Sequence, residues 1–186
     1  MKLYRFSPIK SKEELFDAIK YIHFESHKLC NQTFGKYLEN AGNMGVFCHY
    51  DEEFGFLKET RKILCETSDN PDQKYFLLHN PIIFPEKDGV PETTYTHLYI
   101  RRPDPYRHHV GDVDFCLEPQ EYEKLKESLL SGKEFQNARV FERSDLDMIE
   151  LYNSDSDVLA YVSTKKMTEK VRVKLSNYGG PEMTLK

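Results

Sequence analysis

The residues best suited to chemistry lie between Thr94 and Leu117. Along the first stretch Thr94, Thr96, Leu98 and Ile100 alternate with Tyr95, His97, Tyr99 and Arg101. Past a loop around Pro103 to His108, Val113, Phe115 and Leu117 alternate with Asp112, Asp114 and Cys116. Alternation of period two is the mark of a strand with one buried face. If the two strands form a hairpin, Leu98 and Ile100 share the apolar side with Val113, Phe115 and Leu117. The other side then carries Tyr95, His97, Tyr99, Arg101, Asp112 and Asp114. The simplest loop closure sets His97 near Asp114 and Tyr99 near Asp112. A one-residue slip would mix the two faces, so the parity is firmly specified.

Those groups in that order can do definite things. A carboxylate beside an imidazole fixes its tautomer and raises its basicity, as a general base needs. His and Asp together can also hold a divalent metal. Arg101 can grip a carboxylate or phosphate through two parallel hydrogen bonds. Tyr95 and Tyr99 can stack on a ring or donate to a ligand. A wet sheet face is polar by default, but this one lacks Lys and Glu, the usual solvent-facing residues. The connecting loop adds Arg107 and His108 as cations beside Tyr106, again suited to an anion.

Other groupings are weaker. His23 and His27 are four apart on one helix side, followed by Cys30, but HFESH has its Glu in the wrong place for a zinc protease. They read as polar residues flanking a helix–sheet contact. Glu150 sits on a strand with two fairly apolar faces. A desolvated carboxylate there would have a raised pKa and could serve as acid, base or ligand; an ion pair with Arg139 or Arg143 is the plainer reading. Residues 153–157 (NSDSD) lack the Gly and Glu of a calcium loop and read as a hairpin turn. No glycine-rich phosphate loop and no GxSxG occur.

The elements that must position these residues follow from patterning. Ser11 and Glu14 make a capping box for a helix to about Cys30, striped by Leu15, Ile19, Ile22 and Leu29. A shorter helical piece over 34–40 would end at Ala41-Gly42-Asn43. Strands fit 2–6, 46–50, 74–79, 82–84, 138–142, 148–152, 158–163 and 171–175. A helix from Asp51 to about Glu66 and another opening with Pro119 at its first turn complete the set. Helices dominate the first third and strands the rest. This predicts an α+β fold: a largely antiparallel sheet with helices packed on one face. The chain reads as one domain over 1–186, helix-rich over 1–70, strand-rich over 74–175 and frayed over 176–186, without internal repeats.

Composition sets outer bounds. The chain has 186 residues, 39% hydrophobic and 31% charged, with 12 Tyr and 12 Phe to fill a core. Its net charge of −5 argues against a generic nucleic-acid binder, which is usually basic. No run reaches the roughly 18 apolar residues of a membrane span. The N-terminus lacks the apolar stretch of a signal peptide. The four cysteines show no CxxC spacing and read as small buried thiols of a soluble, cytoplasmic protein.

From Gly111 to Ser163 the order is strand, helix, three strands. That order resembles the repeated module of the vicinal-oxygen-chelate, or glyoxalase-like, proteins, over less than a third of the chain. The resemblance implies an open metal cup built from two modules, with Glu150 matching a strand glutamate ligand. The strand from Asp112 to Leu117 departs from it, having no His, and the N-terminal half shows no second module. Together the residues predict a small-ligand site for an anionic (phosphate- or carboxylate-bearing) molecule. His97, Asp114, Asp112 and Glu150 would do the chemistry, and Tyr95, Tyr99, Arg101, Arg107 and His108 would bind. A divalent metal is the cofactor such a set could use, for hydrolysis or proton abstraction. The alternative is a non-enzymatic protein-interaction or inhibitor domain with an acidic, tyrosine-rich surface.

Overall fold

Ser11 opens the first helix, α1 (Lys12–Phe34). Its hydroxyl accepts from the Glu14 amide at 3.2 Å, and the Glu14 carboxylate accepts from the Lys10 amide at 2.7 Å. Gly35, at φ 69°, ends the helix by donating its amide to Asn31 O; no helix follows over 34–40. Leu15, Ala18, Ile19, Ile22 and Leu29 are buried. Each large side chain among them contributes about 1.5–3 kcal/mol by leaving water. The computed structural model describes residues 4–132, 135 and 137–175. The frayed tail expected over 176–186 and the start of the strand expected over 2–6 lie outside these; residues 4–6 form bends.

After α1 come β1 (Glu39–Phe47), α2 (Asp51–Leu64), β2 (Phe76–Phe84), β3 (Thr93–Arg101) and β4 (Gly111–Leu117). Then follow α3 (Pro119–Leu130), β5 (Ala138–Arg143), β6 (Leu146–Leu151), β7 (Val158–Thr164) and α4 (Lys165–Lys170). The seven strands make one sheet in the order β2-β3-β1-β4-β7-β6-β5. The fold is α+β, but the sheet is mixed rather than largely antiparallel. β1 runs parallel to β3, and β7 runs parallel to β4. The expected hairpin of β3 with β4 is overturned as well: β1, from much earlier in the chain, lies between them, parallel to one and antiparallel to the other.

This order has a repeat that the sequence conceals. β4-α3-β5-β6-β7 sends its chain out and back so that its last strand lies parallel beside its first. β1-α2-β2-β3 does the same with one strand fewer. The two units meet antiparallel along β1 and β4. That seam is tight: a Cβ at Gly111 would sit 2.5 Å from Ile22 Cδ1 and collide with the Gly45 carbonyl.

The sheet has two distinct faces. Met44 and Val46 of β1 align with Leu98 and Ile100 of β3 and with Val113 and Gly111 of β4. This face packs with Leu57 of α2, Tyr122 of α3 and the α1 stripe into the main core. The opposite face holds a smaller apolar cluster at the β6 end, where Met148 and Tyr161 pack with Met167 of α4 and with Val171 and Leu175. So α1, α2 and α3 cover one face, and short α4 lies on the other. Residues 171–175 do not form the sheet strand expected there. They run instead against the loop before β2, where Lys74 and Tyr75 donate their amides to Arg172 O.

Candidate functional site

The face away from the three long helices carries a polar row that crosses six strands. Register sets His97 beside Asn43, Asp114 beside Tyr161, Tyr161 beside Glu150, and Glu150 beside Arg139. Asn43 closes the remaining gap by donating from Nδ2 to Asp114 Oδ2 at 2.8 Å. Alternation thus assigned the correct side to His97, Tyr99, Arg101, Asp112 and Asp114. Adjacency differs from the expectation by one strand. Asn43 stands between His97 and Asp114, and Gly45 stands between Tyr99 and Asp112.

Gly45 makes room for the acid pair. A Cβ there would collide with Asp112 Oδ1, so the Asp112 carboxylate occupies the space a side chain would take. Asp112 is 6% exposed and Asp114 1% exposed. Burial pushes both carboxyls above the ordinary aspartate range, and the Asp112 charge raises Asp114 further. Arg101 draws Asp112 back down, and the Asn43 amide does the same for Asp114. Among the described residues, the buried Asp112 Oδ1 has no hydrogen-bond partner. An orphaned buried acceptor costs about 1–3 kcal/mol, and natural proteins keep few of them.

Phenols enclose the pair. Tyr75 is buried, and burial followed by the charges of Asp112 and Asp114 holds its hydroxyl protonated. Its ring lies 5.2 Å from that of Tyr99, with Lys74 Nζ 5.2 Å above the Tyr99 ring. Tyr161 donates to Glu150 Oε2 at 3.2 Å and interacts with Arg107. Arg101 donates to Asp104 at 3.0 Å, and Arg107 lies 3.5 Å from the same carboxylate. Asp104 thus holds two cations, one at the end of β3 and one in the β3–β4 loop, at the edge of the acid pair.

Several expectations need correction. Tyr95 is not on this face. It is buried against α1 with its hydroxyl 2.9 Å from His23 Nδ1. Thr93 lies likewise 3.3 Å from His27 Nε2. Since Leu98 and Ile100 face the same core, the alternation breaks between 95 and 98. There the flanking strands are irregular too, β1 between Asn40 and Met44 and β2 between Leu77 and Ile82. His97 does not meet an aspartate. Its Nδ1 lies 2.9 Å from Thr96 Oγ1, and burial followed by the charge of Arg172 lowers its pKa to about 4. It is therefore a neutral hydrogen-bonding group rather than a strengthened base. His108 is exposed and stacks on His109 at 4.3 Å. Glu150 is 2% exposed and takes the ion pair with Arg139, whose Nε donates at 3.0 Å.

Residues that sequence reasoning missed include Asn43, Gly45, Tyr75, Tyr161 and Arg172. A Gly-x-x-Gly pattern inside an apolar run (Gly42 to Gly45) was the available signal for the first two. Tyr75 and Arg172 were read into strands over 74–79 and 171–175, but both lie in irregular segments, where strand alternation does not assign a side.

Among the described residues no three His, Cys, Asp or Glu side chains converge as metal donors. Glu150 is committed to Arg139 and Tyr161, and the acid pair has no imidazole beside it. The donor set does not fit the divalent metal that the residue types suggested. His23, His27 and Cys30 form the packed helix–sheet contact instead, and the four cysteines are buried thiols. Among the described residues no helix is long and apolar enough to cross a membrane.

No family model matches the chain, and no curated protein does. Among solved structures it is similar to a single-residue variant of the Streptomyces coelicolor methylmalonyl-CoA epimerase in complex with 2-nitronate-propionyl-CoA. The identity is 15%, over 68% of this chain and 98% of that one, at a TM-score of 0.30. A likeness of that size supports no conclusion about what this chain does.

Proposed function

We propose that the polar sheet face binds a small anionic ligand and that the Asp112–Asp114 pair exchanges a proton with it. One observation carries this reading: an enclosed carboxylate with an oxygen left unpartnered, seated over a glycine that makes room for it. Two adjacent buried acids share a proton rather than both ionising, so the pair can give or take one near neutral pH. Arg101 and Arg107 supply positive charge at the edge of the acids, and Tyr99 and Tyr161 supply phenolic hydrogen bonds. His97 lines a neighbouring depression of about 190 Å³ with Gln73 and Phe76, which is the open flank of this face. The ligand class is a carboxylate- or phosphate-bearing metabolite, and the chemistry is proton transfer without a metal.

The interaction-domain alternative has less to stand on. Tyr75, Tyr95 and Tyr122 are interior, whereas Tyr50, Tyr106 and Tyr152 are exposed on three separate connections.

The test is a thermal-shift screen of carboxylate and phosphorylated metabolites against the wild type, Asp112→Asn and Arg107→Gln. A binder raises the melting temperature by mass action. The reading requires a saturable shift in the wild type that both variants lose while remaining folded. A ligand that shifts all three proteins equally would discard it, as would a broad panel that shifts none.

A further inference from the structure

A second depression, about 240 Å³ in volume, opens at the far end of the same face. It is bounded by the irregular start of β1, the start of β3, the end of β4, and α4 with the residues after it. Its floor is fixed by Gly42. That residue has φ +79°, and a Cβ on it would lie 2.7 Å from Thr96 Oγ1. Only glycine therefore lets β1 bulge here, and the bulge turns the Ala41 carbonyl toward Arg172 Nη2 at 3.3 Å. Arg172 also donates from Nε to Asn43 Oδ1 at 2.9 Å.

Arg172 is thus a half-buried guanidinium held in place by two neutral acceptors. Among the described residues it makes no ion pair, and Lys165, on the same wall, makes none either. Burial lowers the pKa of Arg172, the expected cost of a cation away from water, and the charges of Glu169 and Asp114 only partly offset it. The rim carboxylates, Glu39 and Glu169, are exposed and close no ion pair with either cation. Thr94 and Thr96 add hydroxyls to the lining. A partly desolvated arginine fixed by neutral acceptors, a second cation on the same wall of an open depression, and the Thr94 hydroxyl in its lining make the usual recipe for gripping an oxyanion.

We propose that this depression is an oxyanion-binding site, taking a phosphate or carboxylate group between Arg172 and Lys165. It adjoins Asp114 through Asn43, which bonds both Asp114 and Arg172, but it does not depend on the reading given for the Asp112–Asp114 pair.

Amide resonances in a ¹H–¹⁵N spectrum report on it directly. The protein is titrated with sodium phosphate, and separately with sodium acetate, against sodium chloride at matched ionic strength. Saturable shifts are expected at Gly42, Thr96, Lys165, Thr168 and Arg172, with the amides of Tyr99 and Asp112 unmoved. Saturation by either anion supports the site and says which oxyanion it prefers. Lys165→Glu, an exposed substitution that leaves the Arg172 contacts intact, should weaken binding by at least about tenfold, since it removes one charged contact and sets a negative charge in its place. Asp112→Asn should bind as the wild type does. The site is refuted if chloride produces the same shifts, if neither anion saturates, or if Lys165→Glu binds unchanged.

Discussion

Gly45 acts through what it lacks. Its missing Cβ lets Asp112 lie across β1 toward Tyr99, so Gly45→Ala must move either the strand or the carboxylate. Overpacking of this kind costs about 1–3 kcal/mol, which a urea titration will show as a lower midpoint. Asn43 is the second fixed point, bonded to Asp114, the Thr168 carbonyl and Arg172. Asn43→Ala leaves buried partners unsatisfied and should cost about 1–3 kcal/mol. It also removes the amide that lowers the Asp114 pKa, so Asp114 should titrate higher still when its carboxyl carbon is followed by NMR. Single residues were legible in the sequence where alternation governs them. His97, Tyr99, Arg101, Asp112 and Asp114 fall on the side that the pattern assigns. Tyr95 does not, because irregular neighbouring strands break a parity that residue types alone cannot show to be broken.

At the scale of elements, β1 is what the sequence misplaced. Ala41-Gly42-Asn43 has the composition of a helix end, yet here it is a bulge inside a strand, where Gly likewise supplies a positive φ. Reading those three residues as a terminator cut this strand back to 46–50 and hid its reach between β3 and β4. It made those two look like a hairpin, and it hid the shorter first unit of the sheet. The helices were easier, since capping at Ser11, proline at 119 and apolar stripes are local signals; α4 was too short to show a stripe. Gly42→Ala forces an L side chain into the left-handed region against Thr96. It should cost about 1–3 kcal/mol, read as a lower urea midpoint with an unchanged slope. The same variant should close the Arg172 depression to phosphate, since its floor is the bulge.

Stability of the whole molecule should depend on pH through two opposing sets of groups. Burial holds Asp112 and Asp114 above the ordinary aspartate pKa of about 4. Above that pH the native state keeps protons that the unfolded chain has released, so this pair costs stability as pH rises toward neutral. His23, His97 and His109 are lowered by burial to about 3, 4 and 4. Below about 6.5 the unfolded chain takes up protons that the native state refuses, so these imidazoles cost stability as pH falls. Replacing both aspartates by Asn should flatten the loss on rising pH, and His23→Gln should flatten the loss on falling pH. Urea midpoints between about pH 4 and pH 8, a range that spans both sets of ordinary values, will separate the two.

The placement of β1 also bears on the chain as it is made. A nascent chain released through the loop after β3 has β1 joined to β3 on one flank only. Its other flank waits for β4, so a row of unanswered amides and carbonyls stays open to the ribosome's surroundings. Such an edge recruits whatever extended chain comes near. Translation stalled at that point should yield a sticky half-protein, and adding the missing second half as a separate peptide should rescue it.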